Sequence, residues 1–127
     1  MITRLQILAL GAVGIFATAS PSIAHHVWPV DRSREITVKG TVTGYDWSNP
    51  HVMIDLDVNG DDGRVEKWKV GGPNTARMAA NGWDKNTLEA GDAITAVGYR
   101  FSDGSNTLRL QKIVMSNGKE LLLYGSQ

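Results

Sequence analysis

The chain has 127 residues, no cysteine, and thirteen lysines plus arginines against thirteen aspartates plus glutamates. That allows one small domain whose core must hold without disulfides, and it excludes thiolate metal sites, thiol catalysis and dithiol redox chemistry. The even charge balance lacks the basic stripe of a nucleic-acid binder, so nucleic acid is not expected as a partner.

Arg4 precedes an apolar run from Leu5 to Ala17, and Ser22 and Ala24 then set small residues at −3 and −1 of a cleavage site. This three-part order is that of a secretory signal peptide over residues 1–24, cut after Ala24. A run of about a dozen apolar residues falls short of the roughly 20 needed to cross a bilayer. The expected location is therefore periplasmic or secreted, with no stable membrane anchor after processing.

Residues 25–34, with Pro29 and no periodic pattern, read as an extended N-terminal arm; residues 35–127 read as the folded domain. Ile36, Val38 and Val42 alternate with polar neighbours, the period-two mark of a half-buried strand. Gly40 inside it suggests a bulge or a sharp coil. Tyr45 to Pro50 reads as a loop. Val52, Ile54, Leu56 and Val58 then face one way, with His51, Met53, Asp55 and Asp57 opposite. Asn59 to Gly63 is a turn by composition, and Arg64 to Val70 a third strand with Glu66, Trp68 and Val70 on one face.

Gly71-Gly72-Pro73 ends that sheet segment, Asn74 to Ala80 reads as a short helix, and Gly82 stands where a left-handed cap is common. Trp83 and Leu88 read as plugs for one end of a barrel, with Trp68 and Trp83 as core residues. Ala93 to Phe101 and Thr107 to Met115 are two more strands. Asn117-Gly118 is a strong hairpin signal leading into Glu120 to Tyr124. Three strands, one helix, then two or three strands describe an all-β chain. The expected fold is a small closed five- to six-stranded barrel of OB type, with one short helix between strands 3 and 4. Closure removes the sheet edges that a disulfide-free exported chain would expose. A small open β-sandwich is the alternative.

The most specific chemical signal is the histidine placement. Cleavage after Ala24 leaves His25 as the first residue, with His26 beside it and His51 at the start of the best-patterned strand. An N-terminal histidine offers an α-amine, of pKa near 8, together with its imidazole, and imidazole suits copper and zinc. His25, His26 and His51 are therefore the metal-ligand set, with copper, or else zinc, as the cofactor. Trp47, Asn49, Met53 and Asp55 are ligand-binding residues around it. A second function class is a metal-free module that binds a peptide, a sugar or another envelope protein on the strand 2–3 face, where Asp55, Asp57 and Lys67 lie. Catalysis is not expected. Asp55 and Asp57 are neighbours on a strand face, as in any solvated sheet, and no nucleophile context or phosphate-cradling motif is present. Asp61-Asp62-Gly63 lacks the glutamate that a calcium loop requires.

The marks Ala24-His25-His26, Val38 to Val42, Trp47-Ser48-Asn49-Pro50-His51-Val52, Pro73-Asn74, Gly82-Trp83 and Ala90-Gly91-Asp92 run across nearly all of the expected mature chain. On these the sequence resembles a family of small exported bacterial proteins of unknown function. That resemblance implies export and a small β-barrel and carries no activity. More loosely, the layout is similar to periplasmic copper and silver chaperones, through Trp47, His51 and Met53 alone.

Overall fold

In the computed structural model, residues 27–124 are described. They form six strands and one helix: β1 (Val30–Asp46), β2 (Met53–Asn59), β3 (Val65–Gly71), α1 (Thr75–Ala79), β4 (Ala93–Phe101), β5 (Thr107–Met115) and β6 (Glu120–Leu122). The sheet order is β3-β2-β1-β4-β5-β6, and a short parallel pairing of β3 with β5 closes strands 1–5 into a barrel. Its rungs are Lys69 to Thr107, Val70 to Leu108 and Gly71 to Arg109. The expected closed barrel with a helix between β3 and β4 is what forms, and β6 is an extra strand on the outer edge of β5. Among the described residues no helix is long and apolar enough to cross a membrane.

The inward set follows the alternation in the sequence. Val52, Ile54 and Leu56 are buried from one side of β2, and Trp68 and Val70 from β3. Ile94 and Ala96 join from β4, and Leu108, Leu110 and Ile113 from β5. Met78 of α1, Trp83 and Leu88 fill one end, so the helix and the loop after it serve as the plug. Burying a side chain of this size contributes about 1.5–3 kcal/mol, which lets the chain dispense with disulfides.

β1 differs from its expected form at both ends. It begins at Val30, so the second half of the expected arm is strand, with Val30 opposite Phe101 and Glu35 opposite Tyr99. Residues 31–35 are all exposed, and a strand with two solvated faces carries no alternation to read. At the other end Tyr45 and Asp46 pair with Ile54 and Met53. A bulge between Val42 and Gly44 resets the side-chain phase there and hides the continuation. The bulge is thus not at Gly40, where a Cβ would lie 2.7 Å from the carbonyl oxygen of Asp57. Gly40 lets β1 coil tightly as it passes from pairing with β4 to pairing with β2.

Candidate functional site

The β2–β3 ladder runs one rung past the strands. The amide of Gly72 donates to the carbonyl of Val52 at 2.8 Å, and the amide of Val52 to that of Pro73 at 3.0 Å. This fixes His51 at the lip of the barrel, directly after the cis Asn49–Pro50 peptide. Asn49 ties the same loop to the helix, its Oδ1 accepting from the amide and the hydroxyl of Thr75 at 3.0 Å each. Asn74 caps α1 by accepting from the Arg77 amide at 2.9 Å. The histidine loop, the end of β3 and the start of α1 are therefore one braced unit.

Trp28 lies across this unit. Its ring meets His51 edge-on at 4.7 Å between centroids and Phe101 at 5.4 Å. Gly71 makes room for it, since a Cβ there would stand 2.2 Å from Trp28 Cη2. The Arg109 guanidinium lies over the same indole at 5.6 Å and donates to the Tyr124 hydroxyl at 2.9 Å. Arg77 lies over the Tyr124 ring at 5.1 Å. Trp28, His51, Gly71, Arg77, Arg109 and Tyr124 thus line one cavity of about 210 Å³.

Two features of this cavity are chemically unusual. Among the described residues His51 Nδ1, shut off from solvent, has no hydrogen-bond partner, and leaving a buried polar atom unpaired costs about 1–3 kcal/mol. Among the described residues the lining also holds two guanidinium groups and no carboxylate. Neither arginine joins an ion pair among the described residues.

Of the residues marked from the sequence, only His51 lines the cavity. His25 and His26 lie outside the described residues. Among the described residues no group of three histidines or carboxylates stands close enough to hold a metal ion. The other marked side chains are engaged elsewhere. Asn49 braces Thr75. Asp55 pairs with Lys69 at 3.0 Å on the outer β2–β3 face, where Asp57 pairs with Lys67. Met53 is half-buried, its sulfur 3.3 Å from where a Gly71 Cβ would be. Trp47 packs half-buried against the core beside Tyr45. The Tyr45 hydroxyl donates to the Asp84 carbonyl at 2.7 Å, and burial pushes that phenol up to about 12.

Sequence reasoning missed Arg77, Arg109, Tyr124 and the docking of Trp28. These residues are dispersed along the chain and meet only through barrel closure. The one available signal was the Gly71-Gly72 pair, because glycine at the end of a strand often marks a close approach.

A family model described as "Family of unknown function (DUF6152)" matches residues 13–109. No curated protein matches the chain. Among solved structures, mitochondrial single-stranded DNA binding protein Rim1 from S. cerevisiae superposes with a TM-score of 0.50 at 8% identity, covering 65% of this chain and 93% of that one. A TiaS mutant in complex with agmatine gives 0.47 at 22% identity, covering 76% of this chain and 24% of that one. A TiaS–tRNA(Ile2)–ATP complex gives 0.48 at 19%, covering 72% and 20%. The chain thus spans a quarter or less of those TiaS chains.

The likeness to Rim1 corrects one expectation. Nucleic acid was set aside on overall charge balance, yet the barrel has the fold of a single-stranded DNA binding protein, so the exclusion does not stand. Net charge is a sum over the chain and does not report how charge is distributed locally.

Proposed function

The chain belongs to the DUF6152 family, which brings no activity with it, and from the geometry we propose a small exported binding protein whose ligand seat is the cavity beside His51. In this reading a signal peptide is removed after Ala24 and the protein works in the periplasm or outside the cell. The ligand is a copper-like metal ion, held by the α-amine and ring of His25 with His26 and His51.

The observation that carries the proposal is the contact of Trp28 with His51 at 4.7 Å, beside an imidazole nitrogen that has no partner among the described residues. Trp28, two residues along the chain from His26, already lies against His51, which supports this reading. The donor set is chemically suitable: neutral imidazoles and a free amine suit copper and zinc, and the chain has no thiolate to compete. The other reading, a metal-free module using the outer β2–β3 face, draws less support, because the charges there pair with one another across the strands.

The test is calorimetric titration of processed protein, its terminus at His25 verified by mass spectrometry, with copper(II) and then zinc(II). A single ion should bind per chain with micromolar or tighter affinity. Binding should collapse in His51→Ala and in a protein extended by one residue before His25. Absence of binding, or equal binding by the extended protein, refutes the metal reading.

A further inference from the structure

Beyond the metal reading, we infer that the arginine side of the same cavity is a seat for a small oxyanion, of the phosphate or carboxylate class. Arg77 arrives from α1 and Arg109 from β5, and both converge on one residue, Tyr124, from its ring face and its hydroxyl. Two like charges brought to one aromatic side chain repel each other, and among the described residues no carboxylate lines the cavity to offset them. A bound anion removes that repulsion.

The donors are also free to serve one. A guanidinium carries five N–H groups in a planar fork that matches the oxygens of a carboxylate or phosphate. Among the described residues Arg109 spends one of them, on the Tyr124 hydroxyl, and the Arg77 side chain spends none. The aromatic faces of Trp28 and Tyr124 hold the two guanidinium groups in place, so little side-chain freedom remains to be lost on binding.

Size sets the ligand class. The cavity, of about 210 Å³, lies below the roughly 300–1,000 Å³ of sites for drug-sized ligands. It suits a single anionic group with a few attached atoms. His51 lines the same cavity and meets the Trp28 ring over which Arg109 lies, so the imidazole stands beside the arginine seat. A nucleic-acid phosphate shares this chemistry, and the experiment separates it from a free anion.

The experiment uses the full chain, stripped of metal with a chelator, and titrates it by calorimetry with inorganic phosphate, with acetate and with a short oligothymidylate. Phosphate or acetate should bind. Arg77→Gln and Arg109→Gln should each weaken that binding at least about tenfold, the loss expected when one charge-assisted pair is removed. Lys119→Gln, in the exposed turn between β5 and β6, should leave binding unchanged, and a single cooperative thermal transition in each variant would show that it folds. No binding of either small anion overturns the inference, as does binding that survives both arginine changes. Oligothymidylate binding without phosphate or acetate binding overturns it too, in favour of a strand-binding surface. Because metal is absent throughout, a failed copper titration and a failed anion titration are separate results.

Discussion

Gly71→Ala is the sharpest test of how the cavity is built. A Cβ at residue 71 would stand 2.2 and 2.4 Å from two carbons of the Trp28 ring, well inside contact distance. The ring must move off its seat, since the glycine belongs to a paired strand and has little freedom to yield. What it then loses can be counted. There are two edge-on aromatic contacts, with His51 and Phe101, and one cation–π contact, with Arg109. At about 0.5–1.5 kcal/mol for each aromatic pair and about 0.5–1 for the cation–π contact, the loss is about 1.5–4 kcal/mol. For a domain of this size that lowers the thermal midpoint by about 6–30 °C. The second half of the test reverses the sign. In a Trp28→Ala background the obstacle is gone, and the next neighbour is the flexible end of Met53, 3.3 Å away. Residue 71 does not adopt a positive φ, so alanine there should be neutral or stabilising by up to about 1 kcal/mol, through the unfolded chain. A double-mutant cycle by differential scanning calorimetry should therefore show strong coupling. Additive effects, or a Gly71→Ala protein as stable as the parent, would refute the packing of Trp28 over β3.

Gly98→Ala should be worse, and for a different reason. The added carbon would fall 2.0 Å from the Arg109 carbonyl oxygen, so backbone meets backbone at the register shift between β4 and β5. A loss of at least about 3 kcal/mol is expected, read from the urea midpoint; a midpoint equal to that of the parent would contradict this β4–β5 register. Alkaline stability tests the contact of Tyr45 with the loop after α1. Folding raises the Tyr45 phenol from 10.0 to about 12 by burial, so its contribution is complete below pH 10 and is lost as pH rises through 12. Tyr45→Phe should flatten the fall in thermal midpoint across that window relative to the parent, and parallel curves for the two proteins would show Tyr45 to be solvated.

The sequence by itself determined the barrel. Strict alternation along Val52 to Val58, the glycines and prolines at the turns, and the unbroken runs of β4 and β5 are local properties, because a strand with one buried face must alternate wherever it sits. It also determined where not to look, since a chain without cysteine has no thiol chemistry. Alternation failed where the physics is not local. Residues 31–35 of β1 are solvated on both faces, and the bulge before Gly44 shifts the phase of everything after it. The cavity belongs wholly to the tertiary structure. Trp28, His51, Arg77, Arg109 and Tyr124 come from five separate places in the chain. They meet because the parallel β3–β5 pairing brings Gly71 beside Arg109 and because Gly71 leaves a gap the width of an indole. His51 could be marked from its neighbours in sequence. Its company could not, because no linear spacing encodes which side chains a closing barrel brings together.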